Sequence, residues 1–227
     1  MTMGQVAESI AASREQATRV VAPLVEEGYV ERFYDEANRK LVFVRLTAKG
    51  KELIQKEGIS KVVSIVPGGK TALDSQYNGL KKIRQIHPNG EIAVLIHDGV
   101  RPLVDTETVK KNIDSVWKFG NAITVTKAIE TVIKVNENGS VEKILNRDYC
   151  RMAKAPQSFK LDEILSAHEK AIAEGKHDFI DSASMMIYYG YTLHTVMGQP
   201  ENIKVTTPSD YYMFLGISKN REDKQKN

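Results

Sequence analysis

The sequence predicts an α/β fold of the doubly wound kind, preceded by a small winged helix-turn-helix. From about residue 60 onward, short β-branched runs alternate with amphipathic stretches of helical length, the pattern of strands covered by helices. Within that half, Ala93-Val94-Leu95-Ile96-His97-Asp98-Gly99-Val100-Arg101-Pro102 begins as an unbroken apolar run, as a strand buried on both faces does. It then breaks into an acid, a glycine and an arginine, and Pro102 bars further ladder pairing. In open α/β sheets ligands sit in the crevice beyond such strand ends. The first 57 residues read differently, as two short helical patterns followed by two strand-like segments around a polar turn.

Composition narrows the class. A chain of 227 residues with 41% hydrophobic and 27% charged residues has the balance of an ordinary globular protein with a packed core. The lone Cys150 excludes an internal disulfide and leaves too few thiols for structural zinc. Nothing near Met1 resembles a signal peptide and no apolar run reaches membrane-spanning length, so a cytoplasmic location with no membrane partner is expected. A net charge of +3 is too mild to argue for nucleic acid.

The elements follow in order. Thr2 with Gln5, and Ser13 with Gln16, have capping-box spacing and open two helices, the second burying Ala17, Val20, Val21 and Leu24. Gly28 ends it. Tyr29 to Phe33 and Lys40 to Leu46 are the wing strands around Asp35 to Asn38. Thr47 caps a connecting helix to about Glu57, and Gly58 marks the joint between a domain of residues 1–57 and one of residues 58–217. Lys61 to Val66 reads as a strand ended by Pro67-Gly68-Gly69, and Leu73 to Ile86 as a helix burying Leu73, Tyr77, Leu80 and Ile83. Glu91 to His97 is the next strand. Asp105 caps a helix to Lys118 that stops at Gly120. Ala122 to Thr126 is a strand, and Thr131 to Val135 with Ser140 to Leu145 flank the hairpin signal Asn138-Gly139. Helices are expected over Leu161 to Glu174 and Asp181 to Tyr189, and a strand over Thr192 to Met197. Thr207 and Pro208 open a last helix. Residues 218–227 form a polar, fraying tail.

Two resemblances add chemistry to these patterns. Leu24-Val25-Glu26-Glu27-Gly28-Tyr29-Val30-Glu31-Arg32, with Asp35, Arg39 and Leu46-Thr47-Ala48-Lys49-Gly50, resembles a MarR-type winged-helix repressor. That resemblance implies duplex DNA as a partner, with Arg14, Thr18 and Arg19 facing the major groove and Arg39 reaching the minor groove. Two features stand against it. The segment carries nine Lys/Arg against nine Asp/Glu, where counterion release needs clustered cations, and flanking dimerisation helices are missing.

The second half resembles the cytidylyltransferases that couple CTP to a polyol phosphate, of the methylerythritol-phosphate and ribitol-phosphate type. The matching motifs run in order: Gly68-Gly69 with Asp74-Ser75 and Asn78-Gly79-Leu80; His97 to Pro102; Glu130-Thr131-Val132-Ile133-Lys134; Asn146-Arg147-Asp148; Ala155-Pro156-Gln157-Ser158-Phe159; Asp181-Ser182-Ala183-Ser184; and Asn202-Ile203-Lys204-Val205-Thr206. The resemblance implies a Rossmann-like nucleotidyltransferase core with a hairpin arm, a homodimer through that arm, and catalysis by Asp98 and Lys204. Asp98 would hold Mg2+ against the α-phosphate of CTP, and Lys204 would meet the same phosphate as a point charge. Arg101, Thr131 and Arg147 would bind the polyol phosphate, Arg147 from across the dimer, and Asp181 the polyol hydroxyls. Gly68, Gly69, Ser75 and Gly99 would bind the nucleotide, Ser75 and the Gly69 backbone reading the cytosine edge.

Bland readings stand beside these. Taken alone, the segment around Asp98 equally fits a strand ending in a tight turn, with Asp98 capping and Arg101 solvated. Ser75 fits a helix first turn. His87, His97, His168, His177 and His194 lack metal-ligand spacing and read as structural; Cys150, Tyr188, Tyr189 and Tyr191 read as packing. The chain also departs from the family pattern. Ala72 stands for an arginine, Ile180 for a threonine that grips the polyol phosphate, and no glycine-rich loop with an arginine and a Pro-Lys pair precedes Gly68. Because backbone amides at such a loop hold the triphosphate, weakened or lost activity is expected. A regulator that senses a nucleotide or sugar phosphate is the alternative reading.

Overall fold

The computed structural model describes residues 25–34, 42–56, 61–64, 66–176 and 178–225. It comprises two compact units. One gathers residues 1–90, 168–181 and 205–227; the other gathers residues 91–167 and 182–204.

In the first unit, β1 (Val30–Tyr34) and β2 (Val42–Leu46) pair antiparallel, Val30 opposite Leu46, and α1 (Ala48–Lys56) follows. Thr47 opens α1 as expected: its Oγ1 accepts from the Gly50 amide at 3.0 Å. The two helices expected before β1, with Arg14, Thr18 and Arg19, lie outside the described residues except for a turn at Val25 and Glu26, as does Arg39. The strand expected over Lys61 to Val66 is not formed: its described residues run as irregular chain with Val62 and Val63 exposed. A β-branched run makes a strand only where a neighbour takes its backbone groups, and none of the described strands pairs with it.

The helix α2 (Ala72–Ile86) starts one residue before the expected Leu73, from a capping box that the sequence reading did not single out. Thr71 Oγ1 accepts from the Asp74 amide and Asp74 Oδ2 accepts from the Thr71 amide, both at 3.1 Å.

The second unit is a mixed sheet in the order β3-β7-β4-β8, built from β3 (Ala93–Ile96), β4 (Asn121–Lys127), β7 (Arg151–Lys160) and β8 (Thr195–Met197). Between β4 and β7 the chain forms the arm, β5 (Ile133–Val135) paired with β6 (Val141–Ile144), with Gly139 at φ 78° in its turn. The helix α3 (Thr106–Phe119) lies between β3 and β4 in the chain. It runs from the Asp105 cap, whose carboxylate accepts from the Thr108 amide at 2.6 Å, to Gly120 at φ 88°. Both ends match the sequence reading.

The expected parallel sheet is corrected here. Among the described strands of this sheet only β4 and β8 run parallel; β7 lies antiparallel to both β3 and β4. β4 and β7 are the two legs of one long hairpin, Lys127 opposite Arg151, and the arm is its loop. The sequence hid β7 because Pro156 argues against a central strand. A register shift solves the problem: Ile123 pairs with Gln157 and Val125 with Ala153, so the Pro156 segment bulges out of the ladder.

A buried polar network joins the hairpin to α3. Asn112 Nδ2 donates to Thr108 O and Thr124 Oγ1 at 2.9 Å, and Ser158 Oγ donates to Asn112 Oδ1 at 2.9 Å. Each of these buried groups has a partner, so the network specifies the packing without leaving an orphan. Val116, Ala122 and Val196 fill the apolar core beside it.

After β7 come α4 (Leu161–Ala173), which crosses the division between the units, and α5 (Ser182–Tyr188). The last helix, α6 (Pro208–Gln225), belongs to the first unit and continues through most of the residues expected to fray. Among the described residues no helix is long and apolar enough to cross a membrane.

His168, expected to be structural, is buried in the first unit and stacks on Tyr77 at 5.7 Å. Burial pushes its pKa down from 6.5 to about 4, against a weaker pull from Asp74. The unfolded chain therefore takes this proton near pH 6.5 and the folded chain does not until about pH 4. The contribution is full above the unfolded value and is lost as pH falls towards 4, up to about 3 kcal/mol. Urea midpoints at pH 7.5 and 4.5 check this: His168→Leu should lose less stability on acidification than the parent, and equal losses would count against it.

Candidate active site

The end of β3 builds the site. The Arg101 amide donates to the Asp98 carbonyl at 3.0 Å, closing a turn over Gly99 and Val100. That turn folds the guanidinium back onto the carboxylate, Arg101 Nε donating to Asp98 Oδ2 at 3.0 Å. Arg101 Nη1 also donates to the Asn202 carbonyl at 3.0 Å. Two residues further on, Lys204 Nζ stands 3.7 Å from the same Asp98 Oδ2. The aspartate and the lysine that sequence reasoning paired are thus neighbours in space. Side-chain exposure is 13% for Arg101, 30% for Lys204 and 36% for Asp98. The guanidinium is therefore mostly covered, while the other two charges can meet a ligand.

One more cation belongs here, and sequence reasoning missed it. Lys154 Nζ, from β7, donates to Pro200 O at 3.2 Å and Asn202 O at 3.4 Å. Burial, then the nearby Arg101, hold its pKa below the ordinary lysine value, with Glu201 pulling the other way. Its place just before the Ala155 to Phe159 motif was the available signal, unread because β7 was not recognised as a strand. Arg101, Lys154 and Lys204 outnumber Asp98 and Glu201 by one positive charge, which suits an anionic ligand.

Other expected site residues group elsewhere. Arg147 lies in a 3-10 turn (Arg147–Tyr149) at the foot of the arm, and Thr131 is exposed two residues before β5. Arg147 faces a cavity of about 620 Å³ lined by Lys127, Ala128, Ile129, Arg147, Asp148 and Arg151, and its Nη1 donates to Ile129 O at 2.8 Å. In the first unit, the Gly69 amide donates to Ser75 Oγ at 2.9 Å, and Ser75 Oγ donates to Thr71 O at 2.9 Å. Ser75 therefore closes the Gly68-Gly69 turn onto the first turn of α2. Asp181 is half-buried immediately before α5; Ala72 and Ile180 are exposed.

His97 Nε2 lies 2.9 Å from Arg101 O, and His194 stacks on Phe119 at 4.3 Å. Cys150 is half-buried, but Tyr188, expected to pack, is exposed at the end of the short α5, where it meets Tyr189 edge-on at 5.1 Å. Among the described residues no group of three or more His, Cys, Asp or Glu could hold a metal ion. A lone carboxylate such as Asp98 suits magnesium in one setting, where substrate phosphates and water complete the shell.

Comparison with known proteins decides the family. The family described as 2-C-methyl-D-erythritol 4-phosphate cytidylyltransferase matches residues 17–215. The chain belongs to that family. Such cytidylyltransferases are CTP-dependent nucleotidyltransferases, and this chain is of the type that transfers CMP from CTP to a polyol phosphate. A ribitol-5-phosphate cytidylyltransferase of Streptococcus agalactiae is 42% identical over 173 residues, 76% of this chain and 72% of the relative. A 2-C-methyl-D-erythritol 4-phosphate cytidylyltransferase of Pelotomaculum thermopropionicum is 31% identical over 208 residues, 89% of this chain and 85% of the relative. Among solved structures, 4-diphosphocytidyl-2C-methyl-D-erythritol synthase of Anaerococcus prevotii superposes with a TM-score of 0.65 at 30% identity, covering 75% of each chain. The family match takes in most of the segment read as a winged helix, and the regulator reading has no support from it.

Proposed function

We infer that Asp98, Arg101 and Lys204 form the phosphate end of the cytidylyltransferase site and that the polyol phosphate is of the ribitol 5-phosphate class. The observation that carries the first part is one carboxylate oxygen shared by two cations, at 3.0 Å from Arg101 and 3.7 Å from Lys204. In the transfer, an oxygen of the polyol phosphate attacks the α-phosphorus of CTP, the bond from that phosphorus to the oxygen bridging to the β-phosphate breaks, and pyrophosphate leaves. Negative charge builds on the α-phosphate oxygens during that step, so a fixed ammonium beside them lowers the barrier. Lys204 has the reach and exposure for this role. Arg101, mostly covered and held by Asp98 and the Asn202 carbonyl, keeps a fixed positive charge beside the phosphate. Asp98 would hold Mg2+ jointly with substrate phosphates, and the ion would neutralise the same developing charge.

The polyol assignment rests on the higher identity to the ribitol-5-phosphate relative, 42% against 31%. Pyrophosphate release from CTP tests both parts, run to millimolar CTP because the sequence offers no glycine-rich loop before Gly68. Ribitol 5-phosphate should give a kcat/KM at least about tenfold above methylerythritol phosphate, the discrimination that one or two polar contacts supply. Equal or reversed values would overturn the polyol, and no release with either would overturn the transfer.

A homodimer through the arm completes the proposal. A two-stranded ribbon does not stand by itself in water, and here Ile129, Ile144 and Tyr149 are 75%, 67% and 87% exposed. Such an apolar stretch fits a covered interface, and Thr131 and Arg147 flank it. Ile144→Glu should shift the mass in light scattering from dimer to monomer; an unchanged mass would refute the arm as the contact.

A further inference from the structure

We propose that Lys154 is a positioning residue for the transfer, stapling the segment that carries Lys204 to the β-sheet and so aiming Lys204 and Arg101 together. The proposal rests on the reading of Lys204 as the phosphate-contacting cation.

The segment from Gly198 to Lys204 has no regular structure of its own. Its internal ties are the Asn202 amide to Gln199 O at 3.2 Å and the Ile203 amide to Glu201 O at 2.8 Å. Two reciprocal cross-links fasten it to β7. Lys154 Nζ donates outward to Pro200 O and Asn202 O, and the buried Asn202 Nδ2 donates back to Ala155 O at 3.0 Å. The Asn202 carbonyl therefore accepts from Lys154 and Arg101 at once, while Lys204 follows two residues later. Without Lys154, one side of that carbonyl is released and the segment keeps a single side-chain link to the sheet. A shift of about 1 Å in a catalytic group is enough to cost on the order of 100-fold in rate.

An ammonium suits this place because it can donate to two carbonyls at different angles. The surrounding charges are Arg101 and Asp98 from the β3 turn, Glu201 and Lys204 from the segment itself. Burial, and after it the neighbouring Arg101, lower the pKa of Lys154.

A double-mutant cycle tests the proposal. Lys154→Met should lower kcat about 30-fold, with KM for CTP moving less than about threefold, and Lys154→Arg should recover to within about threefold of the parent. In a Lys204→Met background the same change should add less than about threefold, since the group it aims is gone. Lys154→Met within twofold of the parent, or full additivity in the double variant, would overturn the proposal. Should Lys154→Met fail to fold, Lys154→Gln, which keeps a shorter donor, carries the same cycle with the same criteria. If Lys204→Met alone leaves the rate unchanged, it is the reading of Lys204 that fails; if Lys204→Met is impaired and Lys154→Met is not, the failure belongs to Lys154.

Discussion

Replacing Lys204 by methionine should lower kcat for CMP transfer by about 100- to 1,000-fold, the loss expected for a preorganised group proposed to face a developing oxyanion. The fold should tolerate the change. Lys204 is 30% exposed, in a segment without regular structure, and its ammonium is 3.7 Å from a carboxylate that keeps Arg101 at 3.0 Å when the lysine is gone. A partly exposed pair of this kind contributes at most about 1 kcal/mol, so the melting temperature should hardly move. Lys204→Arg should recover only part of the rate, because a planar fork does not occupy the place of a compact ammonium. The expected split is a fall in kcat with a smaller change in KM for CTP, measured by pyrophosphate release. A variant that retains a third of the parent rate would remove Lys204 from the chemistry.

Gly69→Ala is the change expected to damage the fold most. A Cβ built on Gly69 lies 2.1 Å from Asp74 Cβ, 2.8 Å from Asp74 C and 3.0 Å from its Cα. Backbone at the start of a helix cannot step aside as a long side chain can. Asp74 is also half of the capping box with Thr71, and the Gly69 amide is the donor to Ser75. Overpacking together with loss of the cap should cost about 2–4 kcal/mol in urea unfolding. Gly99→Ala is the control, because a Cβ there meets no atom within 4 Å. Stability should stay within about 0.5 kcal/mol of the parent, so any loss of CTP binding in that variant reports how closely the nucleotide approaches the turn. Equal stability of the two variants would refute the argument for Gly69.

Local chemistry made many of the elements legible. Asp105 and Gly120 bound α3 because a capping side chain and a left-handed glycine act within a few residues of the helix end. Asn138-Gly139 announced the arm for the same reason. Where sequence reasoning went astray, a distant partner decided. β7 was unread because Pro156 is tolerated only by a bulge opposite β4, and Lys61 to Val66 was overread because strand propensity says nothing about whether a neighbour is there. Lys154 followed from the first error: a lysine whose strand is unrecognised cannot be assigned a direction or a partner.

The sequence by itself determined the helix ends, the arm, the family motifs and the residue types a phosphate needs. Those are properties of neighbours along the chain or of matched motifs, and they survive any error in topology. The tertiary structure alone decided that β7 lies between β3 and β4, and that Arg101 finds a carbonyl 101 positions away at Asn202. The reason is physical. A contact that closes so long a loop is set by the packing of the whole sheet, which balances the entropy lost in closing it, and no window of residues carries that balance.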